Sequence, residues 1–79
     1  MKETLEARMG RLMRDVRESR GVTQERLAKK LGRDQATISQ WENARSGILA
    51  ADFLAWADVL ALTKDEWLAF RKLDVDIAA

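Results

Sequence analysis

The stretch that decides the fold is residues 21–43, GVTQERLAKKLGRDQATISQWEN. Thr23 can cap the start of a helix, because its hydroxyl accepts a hydrogen bond from a backbone N–H two or three residues further on. Gly32 stands where a left-handed residue commonly ends a helix. The apolar stripe between these two positions follows the spacing of a helix and consists of Leu27, Ala28 and Leu31.

A second short helix is predicted directly after the first. Asp34 can cap it, and its negative charge suits the positive end of the helix dipole. Ile38 and Trp41 lie three residues apart and point to the same, inward side. The side chains left facing outward are Gln35, Ala36, Ser39, Gln40 and Asn43. Two short helices joined by a tight turn form a helix-turn-helix motif, whose second helix enters the major groove of DNA.

The segment resembles the Cro/C1-type (XRE-type) helix-turn-helix domains of phage repressors and bacterial regulators. The resemblance covers roughly residues 8–70. Within the motif it is carried by Gly21, Thr23, Gln24, Leu27, Ala28, Leu31, Gly32, Gln35, Ile38, Ser39, Trp41, Glu42 and Asn43. Outside the motif it is carried by Met9, Gly10, Leu12, Val16 and Arg17 upstream, and by Phe53, Trp56, Ala57 and Leu60 downstream.

The rest of the chain predicts more helix. An amphipathic pattern spans about residues 4–19, and a segment apolar on several sides, expected to be mostly buried, spans about residues 50–60. Thr63 and Glu66 form a capping box that starts a further helix at Lys64. The expected fold is therefore all-α: a single domain over 1–79 built as a compact five-helix bundle, with the helix-turn-helix at about residues 23–43.

Composition limits the function. The 79 residues include no cysteine and no histidine, so thiolate metal sites, disulfides and the commonest general base are absent. No base–nucleophile arrangement is visible among the remaining polar residues. No apolar run approaches the ~18 residues of a membrane span, and no signal region is visible. We expect a soluble, cytoplasmic, bacterial or phage-encoded protein that is not an enzyme and needs no cofactor, metal or small-molecule substrate.

The net charge of +1 conceals an asymmetry. Residues 1–45 hold eleven Lys or Arg against seven Asp or Glu, which gives +4; residues 46–79 hold three against six, which gives −3. The basic half contains the motif. Because attraction to DNA depends on the local field, this distribution favours double-stranded DNA as the partner.

Base reading is predicted for the outward face of the second helix of the motif. Glutamine can form a bidentate pair with adenine, and Ala36 can pack against a thymine methyl. The predicted base-reading residues are Gln35, Ala36, Ser39 and Gln40.

Phosphate contacts are predicted around the same helix. The resemblance implies a phosphate contact for Gln24, beside an anion-binding helix N-terminus, and contacts from the turn that contains Asn43 and Arg45. Arg33 lies in the turn between the helices and can reach a phosphate. Thr37 can contact a phosphate or bond only its own helix.

The turn after the motif departs from the family pattern. The family usually has glycine where Ala44 stands and proline near Ile48. Ala44 must avoid the left-handed conformation or adopt it at a cost of ~1 kcal/mol or more. Alternatively, Gly47 takes over the turn. The resemblance also implies a partly buried, structural ion pair between Arg17 and Glu42.

Three tryptophans and two phenylalanines are many large aromatic side chains for the core of so small a domain. Trp41 is expected in the core. A subunit interface, where aromatic residues are enriched, is predicted to contain Trp56, Trp67, Leu68 and Phe70; the alternative that all of them fill one monomer core stays open. The alternating tail from Leu73 leaves strand, helix extension and frayed end equally open.

These observations predict a DNA-binding transcriptional regulator, a repressor acting as a homodimer on an inverted-repeat operator and able to contact RNA polymerase. One alternative is an antitoxin whose residues 63–79 bind a toxin; another is a module of this fold that binds protein only.

Overall fold

Five helices follow one another along the chain, and the computed structural model describes their backbone over residues 3–78 and their side chains over residues 3–73. They are α1 (Leu5–Ser19), α2 (Gln24–Leu31), α3 (Gln35–Glu42), α4 (Ala50–Val59) and α5 (Lys64–Ala78). The predicted all-α bundle with a helix-turn-helix is confirmed. None of the described helices is long and apolar enough to cross a membrane.

Local side chains start the helices as predicted. Thr23 accepts a hydrogen bond from the N–H of Arg26 at 3.1 Å, and Asp34 accepts one from the N–H of Thr37 at 2.9 Å. Thr63 and Glu66 exchange the two bonds of a capping box, at 2.9 and 3.2 Å. Each bond satisfies a backbone donor that the first turn of a helix leaves free.

The C-terminal segment is helical. α5 continues to Ala78, so the backbone of the alternating tail extends the helix instead of forming a strand. The side chains of residues 74–79 lie outside the described part of the chain.

Four helices end in the same way. After α1, α2, α3 and α4, one residue is left-handed, and two backbone N–H groups bond back to the helix as a Schellman motif requires. The left-handed residues are Gly21, Gly32, Ala44 and Ala61, with φ of 64°, 66°, 57° and 53°. Gly47 has no positive φ, so the alternative that it takes over the turn is wrong.

The core gathers one face of each helix from α1 to α4, and the partly buried Phe70 of α5 packs against it. Its buried apolar side chains are Met13, Val16, Leu27, Ala28, Ile38, Trp41, Trp56, Ala57 and Leu60. Trp56 is completely covered, and its indole Nε1 is the one buried side-chain nitrogen or oxygen without a hydrogen-bond partner among the described residues. Leaving such a donor unpaired costs about 1–3 kcal/mol, which the packing of the ring must offset.

Two expectations about the aromatic segment need correction. α4 is not mostly buried, since Leu54 is 60% exposed; in so small a domain only one face of the helix has a core to pack on. Trp56 cannot lie at a subunit interface, because Phe53 stacks on it at 5.5 Å and Phe70 meets it edge-on at 5.6 Å inside its own chain. Trp67 remains 41% exposed.

An ion pair joins the end of α1 to the start of α5. The Arg20 guanidinium donates to both carboxylate oxygens of Glu66 at 2.5 Å and to the Leu60 carbonyl at 3.0 Å. With help from the Thr63 backbone N–H, it lowers the pKa of Glu66 to about 2. The carboxylate that caps α5 therefore also attaches it to α1.

Gly10 allows α1 to touch the end of α3. A Cβ on Gly10 would lie 2.6 Å from the backbone oxygens of both Trp41 and Glu42. No real Cβ comes so close, and backbone atoms cannot swing aside as a long side chain can. The separation of these two helices therefore depends on a missing methyl group.

We expect Gly10→Ala to lower the free energy of unfolding by about 1–2 kcal/mol, since overpacking outweighs the gain in helix propensity. Urea denaturation measures this change in the free energy of unfolding. Gly47→Ala is the control, because a Cβ there meets nothing within 4 Å, and it should change little. Equal stabilities of the two variants would contradict the close approach.

Ala44→Gly should raise the free energy of unfolding by about 0.5–1 kcal/mol, because it relieves the left-handed strain but adds freedom to the unfolded chain. Ala55→Gly, at an exposed position inside α4, should instead lower it by about 1 kcal/mol. Thermal melts compare the stabilities of both variants with that of the parent chain. A lower stability of Ala44→Gly than of the parent would refute the backbone strain at Ala44.

Candidate nucleic-acid interface

α3 presents one apolar and one polar face. Ile38 and Trp41 are buried against α1 and α2, which leaves Gln35, Ala36 and Gln40 exposed on the outer side. Ser39 is half-buried between the two faces. Three of the four residues predicted to read bases therefore lie on the solvent side of one short helix, and Ser39 borders that side. Entry into a major groove requires an exposed helix face of this kind.

The buried carboxylate of Glu42 anchors this helix. Arg17 donates to it twice, from Nε to Oε2 at 2.7 Å and from Nη2 to Oε1 at 3.1 Å. Arg17 is 8% exposed and Glu42 4% exposed. Arg17 also donates to the carbonyl of Val22 at 2.7 Å, between α1 and α2. The structure thus places the two residues in the fork geometry that suits arginine and a carboxylate.

Gln24 joins the same carboxylate to the start of α3. Its Nε2 donates to Glu42 Oε1 at 2.9 Å, and its Oε1 accepts a long bond from Gln35 Nε2 at 3.4 Å. An amide NH₂ has two hydrogens, so one donor of Gln24 remains available. Gln24 is held in a defined orientation at the N-terminus of α2.

At the other end of α3, Asn43 is occupied by contacts within the chain. Its Nδ2 donates to the Ser39 carbonyl at 2.9 Å and to the Ser39 hydroxyl at 3.2 Å. Its Oδ1 accepts a bond from Arg14 Nη2 at 2.8 Å. Asn43 therefore directs its amide donors at α3 and its acceptor at α1.

Two further candidates already have partners. The Thr37 hydroxyl donates to Asp34 at 2.7 Å, which together with the Thr37 backbone N–H holds the pKa of Asp34 below its usual value. Arg33 donates to Asp52 of α4 at 2.6 Å. A phosphate contact by the Thr37 hydroxyl requires it to exchange its partner Asp34, whereas Arg33 keeps further N–H donors although Asp52 neutralises its charge. Arg45 is exposed, and within the described part of the chain its side chain has no hydrogen bond or ion pair.

Sequence reasoning missed Arg14. A signal was present, because Gly10, Arg14 and Arg17 lie at i, i+4 and i+7 on one stripe of α1. That stripe faces the end of α3, as the contacts of all three residues with Trp41, Glu42 or Asn43 show.

A family model described as a helix-turn-helix domain matches residues 8–70. The match covers most of the chain, and its family consists of XRE-like helix-turn-helix domains. A comparison with curated proteins finds no match.

We expect Arg17→Met to destabilise the fold by about 3 kcal/mol, because it leaves the Glu42 charge buried without its main partner. Urea denaturation provides the measurement. Arg11 lies on the same helix as Arg17 and makes an exposed pair with Glu3, which precedes that helix. Arg11→Met is therefore the control and should have little effect. If the two variants unfold at the same urea concentration, the buried pair has no special role.

Proposed function

This chain belongs to the family of helix-turn-helix domains, and on that premise we propose that it is a sequence-specific, double-stranded DNA-binding transcriptional regulator. It acts in the cytoplasm as a repressor and binds an inverted-repeat operator as a homodimer. The observation that carries the proposal is the exposed polar face of α3.

Base reading falls to that face. Gln40 is exposed, and its side chain makes no hydrogen bond to any described residue, so both its amide groups are available to a base edge. Gln35 has only one long bond, to Gln24, and can exchange it for the bidentate pair that glutamine makes with adenine. Ala36 and Ser39 complete the surface, with a methyl and a hydroxyl group.

Phosphate binding is assigned to residues around the edge of the exposed face of α3. Gln24 offers its remaining N–H beside the N-terminus of α2, where backbone donors also favour an anion. Arg45, whose backbone N–H closes the Schellman motif after α3, offers a guanidinium that has no partner among the described residues. Thr37 contributes once a phosphate replaces Asp34 as its partner, and Arg33 contributes through the N–H donors that Asp52 leaves free. These contacts set the register of α3 on the duplex but carry no sequence information.

The dimer is proposed to form through the acidic half of the chain. Trp67 and Leu68 of α5 are 41% and 40% exposed, and Trp67 lines a shallow groove together with the exposed Leu54 of α4. Phe70 supports this surface from its half-buried position. To read successive major grooves, the two α3 helices of such a dimer must lie about 34 Å apart, one helical turn of DNA.

The same exposed surface supports a second candidate. Because Trp67 and Leu68 belong to residues 63–79, they equally suit an antitoxin that covers them with a toxin while α3 binds DNA. A protein-only module is disfavoured, since the α3 face lacks the large apolar or aromatic anchors typical of protein interfaces. Co-purification of a partner bound to α5 would favour the antitoxin.

Selection on random duplex DNA at ~150 mM salt, followed by sequencing, tests the proposed function, since that salt suppresses non-specific phosphate binding. We expect an enriched inverted repeat with half-sites about one helical turn apart. Absence of enrichment would overturn sequence-specific binding, and an enriched single half-site would overturn the dimer.

The selected site then allows a matched comparison of two glutamines. Gln40→Ala should weaken operator binding by ~1–3 kcal/mol and relax preference at one position of each half-site. Gln24→Ala should weaken binding to all sequences alike. Equal loss on operator and random DNA in both variants would contradict base reading by Gln40.

A further inference from the structure

Arg14 belongs to α1 but lies at the C-terminal end of α3. Its Nη2 donates to Asn43 Oδ1 at 2.8 Å, and its Nε lies 3.6 Å from Glu42 Oε1, within ion-pair range but too far for a hydrogen bond. A guanidinium has five N–H donors, so one is used and four are not. The side chain is 39% exposed, which leaves those donors accessible.

The charge beside Arg14 is unbalanced. Glu42 supplies one negative charge, and Arg17 already makes two close hydrogen bonds to it. Since Arg17 is buried, the excess positive charge of this cluster lies at the surface, on Arg14. Arg33 is different, because its partner Asp52 neutralises it one to one at 2.6 Å.

Arg14 lies where Asn43 leaves few hydrogen-bond donors for a ligand outside the chain. The amide donors of Asn43 turn inward to Ser39, so they offer little to a ligand outside the chain. Besides the exposed Arg45, the side chain that brings N–H donors to this end of α3 is Arg14, which Asn43 holds through its oxygen.

We propose that Arg14 is a phosphate-binding residue of the interface. Its guanidinium donates to the non-bridging oxygens of a phosphodiester next to the C-terminal end of α3, and Asn43 and Glu42 position it. The proposal rests on the proposed function, since it needs duplex DNA on the outer face of α3. It adds a contact from α1 to a surface otherwise built from α2, α3 and the turns.

The test is the salt dependence of DNA binding by Arg14→Gln. Each neutralised phosphate contributes about 0.9 to the slope of log K against log salt. Fluorescence anisotropy with a labelled mixed-sequence duplex of about three helical turns, over ~50–200 mM salt, measures this slope. We expect Arg14→Gln to reduce it by about 0.9 for each protomer bound, with equal weakening on operator and mixed-sequence duplex.

Arg11→Gln is the matched control. It removes the same charge from the same helix, but Arg11 is engaged by Glu3, so it should alter the slope by less than half as much. Arg14→Lys retains the charge and should keep most of the slope. A folded Arg14→Gln with the parent slope, or with the same change as Arg11→Gln, overturns the proposal.

A measurement on the unmodified chain covers the case in which Arg14→Gln does not fold. The Arg14 Nε–H resonance, assigned by its loss in Arg14→Lys, should shift on titration with the mixed-sequence duplex, while that of Arg11 should not. An Arg14 resonance that stays in place overturns the proposal. A parent chain that does not bind the duplex at all refutes the proposed function with it, whereas normal binding with an unmoved resonance refutes Arg14 alone.

Discussion

One buried carboxylate holds the interface together. A lone carboxylate in the interior is strongly disfavoured, so α3 can keep Glu42 inside only if other helices supply donors. Arg17 of α1 supplies two hydrogen bonds and Gln24 of α2 supplies one. Because these bonds converge on a single side chain, they set the positions of α1, α2 and α3 relative to one another. The orientation of the polar face of α3 is a consequence of that convergence, and so is the orientation of Gln24 at its rim.

α1 is the helix that attaches the two halves of the molecule to each other. The bare Cα of Gly10 lets it approach the backbone at the end of α3, which brings Arg17 within reach of Glu42. At its other end, Arg20 attaches the start of α5 through Glu66. α1 therefore connects the helix that carries the polar face with the helix that carries the exposed Trp67. A homodimer joined through α5 would have the spacing of its two polar faces set largely by α1.

Features written in short stretches of sequence were predictable. Caps such as Thr23 and Asp34, the capping box of Thr63 with Glu66, and the left-handed Gly32 involve residues a few positions apart, and the structure has them all. Contacts across long separations were not predictable from pattern alone, because helical periodicity indicates which side of a helix is polar but not which neighbour lies there. Two such long-range contacts are the bonds from Arg33 to Asp52 and from Arg14 to Asn43. Trp56 shows the converse: its residue type suits core and interface equally, and only the packing of Phe53 and Phe70 decides between them.

The unequal attachment of the α3 side chains bears on how the chain can evolve. Ala36 and Gln40 are exposed and support nothing else in the described part of the molecule, so substitutions there leave the scaffold intact. Ser39 is attached to Asn43, and Gln35 to Gln24, so a change at either position also disturbs a neighbour. Divergence among descendants of this chain should therefore begin at positions 36 and 40, where a new preference can arise without a compensating second change.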